Sequence, residues 1–271
     1  MPDAQTPQLA FHNVSFAFDE TPVLRNVSFE LSSGETLIVL GAAGSGKTVL
    51  LKTALGLLRP TQGRVVLFGA DVTAGSEREW FDIRSRIGVL FQEGGLFDSL
   101  DVADNVAYPL RNQPLRQCPE EQVLPKVEES LKFVDLGHTL DKYPSELSGG
   151  MRRRVGIARA IVTQPELMLY DSPTAGLDPI TANIIVALIT KGRDVRNATT
   201  VMVTHRFQDG EILAGFRYDT AAGGLGLTPD HRGDTQTRFL VLREGEMVFL
   251  GTQAELEASQ DSYVSKFVPH T

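Results

Sequence analysis

The segment Gly41-Ala42-Ala43-Gly44-Ser45-Gly46-Lys47-Thr48 leaves this chain few folds to adopt. Its spacing, G-x-x-x-x-G-K-[ST], is that of a phosphate-binding loop, a pattern with meaning only between a buried strand and a helix. Both flanks are present. Leu37 to Leu40 is a continuous apolar run of the kind expected of a strand covered on both faces. Thr48 to Leu58 carries Val49, Leu50, Leu51, Leu55 and Leu58 at helical spacing. In such a turn Gly41, Gly44, Ser45 and Gly46 let backbone N–H groups point inward, and the helix N-terminus adds favourable potential for an anion. Lys47 is placed to reach β- and γ-phosphates, and the Thr48 hydroxyl to join a Mg²⁺ shell. Asp171 closes a second apolar run, Leu167 to Tyr170, where a carboxylate can hold a Mg²⁺ water opposite the loop.

The remaining patterns fit an α/β chain. Val27, Phe29 and Leu31 alternate with Ser28 and Glu30, which predicts a half-buried strand. Gly63 and Gly69 bracket the strand Arg64 to Phe68, and Thr200 to Val203 is another buried run. Ile180 to Ile189 reads as a helix between strands, and such alternation argues for a parallel sheet. From about Gln92 to Val155 long apolar β runs give way to helical periodicity, as at Val123, Val127, Leu131 and Val134, so this stretch reads as a helical insertion. Phe239 to Leu250 predicts a hairpin turning at Glu244-Gly245, and residues 221–237, rich in Gly, Thr and Asp, predict a surface loop. In 271 residues the net charge is -8, which argues against a basic nucleic-acid-binding surface. The single cysteine, Cys118, cannot close an internal disulfide and fits a reducing compartment. Met1 to Gln5 has no signal-peptide character, and no apolar run approaches the ~18–20 residues that span a bilayer, so a membrane role is expected to go through a partner.

Further stretches carry a family resemblance. Leu147-Ser148-Gly149-Gly150-Met151 is similar to the signature motif of ATP-binding cassette (ABC) ATPases, and the basic helix Arg152 to Ala160 follows it. Phe91-Gln92 resembles the glutamine loop, Ala175-Gly176-Leu177-Asp178-Pro179 the D-loop, and Thr204-His205 the switch histidine. The resemblance implies one cassette domain over residues 1–271: a P-loop NTPase with a RecA-like, mostly parallel sheet, an N-terminal antiparallel β subdomain and an inserted α-helical subdomain. Residues 1–91 and 156–271 would form the α/β core and 92–155 the helical part. It also implies ATP and Mg²⁺ as cofactors, with Thr48, Gln92 and Asp171 around the metal, and His205 on the γ-phosphate. Ser148, Gly149 and Gly150 would meet the γ-phosphate held by the opposite subunit, so that ATP closes a homodimer, and Asp178 of the D-loop would also belong to the nucleotide site. Phe18 would stack on adenine, with Phe16 the competing aromatic. Arg152 and Arg153 read as a solvated helix face.

The run Phe91 to Arg111 is more specific and resembles the ATPase subunits of bacterial maintenance-of-lipid-asymmetry (Mla) systems. That resemblance implies an integral-membrane permease docked on the Gln92 to Leu100 region, with apolar Leu96, Phe97 and Leu100 lining the groove. It further implies phospholipid as cargo, an indirect link to a periplasmic lipid-binding protein, and a place on the cytoplasmic face of the bacterial inner membrane.

At one position the chain departs from the family. Ser172 follows Asp171 where these ATPases carry the glutamate that orients and polarises the attacking water. A hydroxyl cannot take a proton near neutral pH without its own base, so slow hydrolysis is expected while ATP binding survives. Three explanations stay open: a slow enzyme, a substitute group from Glu93 or His205, or a replacement introduced to trap ATP. The stretch between His205 and the Phe239 hairpin is also about seventeen residues longer than the family pattern.

Overall fold

The computed structural model describes residues 6–112, 118–227 and 236–268. Alternation of apolar and polar residues dictates the first layer. Strands β1 (Leu9–Phe18) and β2 (Thr21–Leu31) pair antiparallel, and β4 (Gln62–Leu67) and β5 (Ala70–Asp71) complete a four-stranded sheet in the order β2-β1-β4-β5. Between β2 and β4 the chain makes β3 (Thr36–Gly41), buried along its whole length, and helix α1 (Lys47–Ala54).

β3 belongs to the second sheet. After α2 (Glu77–Ser85) come β6 (Ile87–Leu90), then the helical arm of α3 (Val102–Asn112), α4 (Glu120–Phe133) and α5 (Gly149–Ile161). The arm returns to β7 (Leu167–Asp171), α6 (Pro179–Arg196), β8 (Thr199–Val203) and α7 (Phe207–Gly215). A small hairpin, β9 (Phe216–Asp219) and β10 (Gly224–Leu227), precedes β11 (Thr237–Arg243), β12 (Glu246–Gly251) and the short α8 (Gln253–Glu257). The six-stranded sheet runs β12-β11-β3-β8-β7-β6, parallel except for β12.

The central strands read as unbroken apolar runs because each of their faces meets its own core. Leu37, Val39, Leu167, Leu169, Val201 and Val203 pack with α1 and the antiparallel sheet. Ile38, Leu40, Met168, Tyr170, Met202 and Phe239 pack with the helices of the other face. The period of two along each strand divides one sequence between two interiors. The α/β fold with an antiparallel β sheet and a helical arm is the expected one.

Two expectations are corrected. The apolar pattern through Leu58 predicts more helix than forms: α1 ends at Ala54 because Gly56 takes φ +65° against the Trp80 indole. A Cβ at Gly56 would lie 2.2 Å from that ring, so no side chain fits without displacing a buried tryptophan. Gly56→Ala should therefore destabilise the fold by about 2–4 kcal/mol, from the left-handed backbone and overpacking together. Thermal unfolding would show it as a Tm lower by about 5–15 °C. Second, the predicted loop 221–237 is not all loop: Gly224–Leu227 is strand β10 and Thr237 opens β11, while residues 228–235 lie outside the described residues. The hairpin is fastened by Asp194, which accepts the Tyr218 N–H at 2.7 Å and pairs with Arg217 at 3.1 Å.

Candidate active site

The ends of β3, β6, β7 and β8 face one way, and the chain leaving each of them carries a residue of the site. Past β3 the backbone must turn back on itself before α1, and Gly46 does so at φ +101°. A Cβ there would stand 2.8 Å from the Val23 carbonyl, which is why glycine is required. Lys47 opens α1 and folds its ammonium into the loop, donating to the Gly41 and Ala42 carbonyls at 2.7 and 2.8 Å. Burial lowers the Lys47 pKa and the Asp171 carboxylate opposes that shift. No acidic residue occupies the first turn of α1, so nothing there repels an anion.

Asp171 ends β7 and is buried. Its Oδ1 accepts the Thr48 hydroxyl at 3.5 Å and the Ser172 hydroxyl at 3.2 Å. Gly44, Ser45, Gly46, Lys47, Thr48, Gln92, Ser172 and His205 line one cavity of about 590 Å³. The Thr48 hydroxyl, Gln92 and the adjacent Asp171 are hard oxygen donors, few in number. That set suits Mg²⁺, which keeps waters and shares its shell with phosphate oxygens. Among the described residues no cluster of His, Cys, Asp and Glu forms an independent metal site.

Ser172 takes the left-handed backbone at φ +48°, its N–H still bonded to the Val203 carbonyl at 3.0 Å. Its hydroxyl donates toward Asp171 and so offers the cavity a lone pair on a weak base. Of the two substitute groups considered above, His205 lines the cavity and Glu93 does not. Glu93 acts instead on Arg153, opposing the downward shift that burial gives that guanidinium.

The other sequence-derived residues lie outside this cavity. Phe18 is exposed at the end of β1 and meets Phe16 edge-on, while Phe16 is buried in the core, which leaves Phe18 as the accessible ring. Ser148 caps α5, accepting the Met151 N–H at 3.2 Å, with Gly149 and Gly150 in the first turn. Asp178 caps α6 through the Thr181 N–H at 3.0 Å, hydrogen bonds that hold its carboxyl below the usual range.

The reading of Arg152 and Arg153 as a solvated face is corrected. Arg153 is buried and donates to the Ala175 carbonyl, and Arg152 donates to the Leu147 carbonyl at 2.7 Å. Both guanidiniums tie α5 to neighbouring loops, which a run of like charges does not reveal. Arg159 does the same, donating to the carbonyls of Gly94 and Gly95 at 2.9 and 2.7 Å and so fastening the turn after Gln92. Val23, which also lines the cavity, and Asp209 carried no signal in sequence.

Comparison with known proteins agrees with this geometry. The ABC transporter family profile matches residues 24–175. The intermembrane phospholipid transport system ATP-binding protein MlaF of Haemophilus influenzae is 32% identical over 256 residues, covering 94% of this chain and 88% of that protein. A probable ribonucleotide transport ATP-binding protein, mkl, of Mycobacterium leprae is 40% identical over 189 residues, 70% of this chain. The match spans 54% of that mycobacterial protein, about half its length. Among solved structures, the dimeric post-hydrolysis state of the ATP-binding cassette MJ0796 bound to ADP and Pi superposes with a TM-score of 0.75 at 27% identity, over 90% of this chain and 98% of that one.

Proposed function

This chain belongs to the ABC transporter family, and from that premise we propose that it is the ATP-driven subunit of a phospholipid transporter, working as a homodimer beneath an integral-membrane permease. Membership of the family is what the similarity establishes; the ATPase activity, the cargo, the partner and the rate are the proposal. The observation that carries it is the convergence of Lys47, Thr48, Gln92, Ser172 and His205 on one cavity with Asp171 behind them.

In this reading Lys47 moves from the loop carbonyls onto the β- and γ-phosphates, and Thr48, Asp171 and Gln92 would hold Mg²⁺, which offsets charge developing on the transferred phosphoryl group. His205 contacts the γ-phosphate and Phe18 stacks on adenine. Ser172 supplies no general base, so turnover is slow. The capped N-terminus of α5 at Ser148 lies away from its own chain's cavity, which leaves its N–H groups for the γ-phosphate of a second copy.

Lipid cargo is supported by similarity to MlaF along nearly the whole chain. Among the described residues no helix is long and apolar enough to cross a membrane, so contact with the bilayer falls to the permease. Beside the Gln92 turn an apolar groove is available for it. Of the three apolar residues expected there, Phe97 lines it together with Phe91, Tyr108 and Pro109 around about 300 Å³, its ring 4.6 Å from that of Tyr108, whereas Leu96 packs against the core and Leu100 does not line the groove. A periplasmic lipid-binding protein would be reached through the permease, placing this subunit on the cytoplasmic face of a bacterial inner membrane. The engagement of the Ser172 hydroxyl with Asp171 also favours a second reading, in which nucleotide assembles the complex without being hydrolysed.

Light scattering tests the common premise. Mg²⁺ and ATP should double the mass of the chain without any trapping mutation, because slow hydrolysis prolongs the closed state. ADP should not. Ser148→Arg should weaken the ATP-induced dimer by about tenfold or more, since it places bulk and a cation in the centre of the interface. A chain that stays monomeric with saturating ATP would overturn the sandwich.

A further inference from the structure

We propose that Asp209 is a positioning residue that fixes the spacing of the two loops facing the γ-phosphate end of the cavity. The β7–β8 ladder ends at the pair Asp171–Val203, and one more main-chain bond, Ser172 N–H to the Val203 carbonyl, follows at 3.0 Å. There the two chains part. Ser172 turns into the left-handed region, and Thr204 gives its N–H to the Val39 carbonyl of β3 at 3.0 Å.

Asp209 spans the gap that opens. It is 1% exposed, in the first turn of α7, and a single oxygen, Oδ2, accepts the Thr174 hydroxyl at 2.5 Å and the Thr204 hydroxyl at 2.7 Å. Arg206 stands 3.6 Å from the other oxygen and donates its own N–H to the Thr204 hydroxyl at 3.1 Å. Thr174 is two residues past Ser172 and one before Ala175, and Thr204 directly precedes His205; Ser172, Ala175 and His205 all line the cavity. One carboxylate thus sets the distance between the Ser172 turn and the His205 imidazole. Packing alone would be served by an apolar side chain at lower desolvation cost. A buried charge that joins two cavity loops has a geometric role instead.

The inference rests on the ATPase reading, and its test separates the two. Single-turnover hydrolysis by the full chain in excess over ATP gives a maximal rate and a half-saturating concentration. Asp209→Ala should lower the maximal rate on the order of 10- to 100-fold, the size expected of a misplacement near 1 Å. ATP affinity by calorimetry should stay within about threefold, because Lys47 and Thr48 are untouched. Asp209→Asn keeps an acceptor oxygen and should recover part of the rate. Thr174→Val and Thr204→Val should each slow the step, and their effects should be non-additive with each other and with loss of the carboxylate. Should Asp209→Ala fail to fold, the threonine pair and Asp209→Asn carry the same comparison. Parental rates in the threonine variants or in folded Asp209→Ala, or a loss confined to affinity, would overturn the bridge. Absence of ATP binding in the unmodified chain would overturn the ATPase reading itself.

Discussion

Ser172→Glu should accelerate ATP hydrolysis by about 10²–10⁴-fold, the usual contribution of a positioned general base, or roughly 3–5 kcal/mol of barrier. The serine cannot fill that role for two reasons. Its hydroxyl donates to the carboxylate of Asp171, which in this reading is engaged with Mg²⁺, and a neutral hydroxyl oxygen is too weak a base to take a proton from water near neutral pH. A glutamate carboxylate is longer and, unlike the hydroxyl, ionised at neutral pH. Ser172 lines the cavity, so the longer chain extends into open space rather than into the core. The turn at φ +48° already tolerates a side chain, which predicts little change in thermal stability. The gain should appear in kcat, with KM within a few-fold, because the groups expected to hold the triphosphate are unchanged. Ser172→Gln has the reach of the glutamate without its basicity. It should stay slow, which separates proton acceptance from water positioning. Steady-state phosphate release measures all three proteins. Equal rates for the parent and Ser172→Glu would place the base elsewhere, and His205, already in the cavity, would be the group to change next.

Lys47→Ala should weaken ATP binding by about 10²–10³-fold, the loss expected when charge-assisted bonds to phosphate oxygens disappear. The ammonium rests on the Gly41 and Ala42 carbonyls, which holds it at the loop where the phosphates are expected. Lys47→Arg should not restore binding, because a planar fork cannot follow the compact ammonium into a loop this tight. Calorimetry with ATP and Mg²⁺ reads the loss directly; affinity unchanged in Lys47→Ala would show that the loop does not bind the triphosphate. Stability should move the other way. Burial lowers the Lys47 pKa, so the folded state holds that proton less tightly than the unfolded chain. This group's cost is therefore present at neutral pH and is relieved as pH rises through the alkaline range. Lys47→Ala removes it, and its Tm should equal or slightly exceed that of the parent, which also shows that lost binding is not lost folding.

The sheet and the phosphate loop were legible because their signals are local. Leu37 to Leu40 had to be covered on both faces whatever the partners, and the two cores that cover β3 supply the reason. The hairpin at Glu244-Gly245 was equally plain, since both residues take positive φ, which few other sequences favour. The end of α1 was not, because the apolar pattern continues to Leu58 and the stop comes from Trp80, twenty-four residues beyond Gly56. Arg152 and Arg153 misled for a related reason. A run of arginines is solvated unless carbonyls meet it, and here the Leu147 carbonyl just before the helix takes Arg152 while the more distant Ala175 carbonyl takes Arg153.

By itself the sequence determined the chemistry on offer: a loop that can cradle phosphate, a carboxylate at a strand end, and a serine where a base is expected. These follow from residue type and short spacing, which the backbone converts into geometry within a few residues. Tertiary structure alone decided which groups share a space. It put His205 in the cavity and kept Glu93 out of its lining, left Phe18 exposed and buried Phe16, and set Asp209 between two threonines thirty residues apart in the chain. Such neighbours are fixed by the order of strands in the two sheets, and that order arises from burial summed over the whole chain rather than from any one segment.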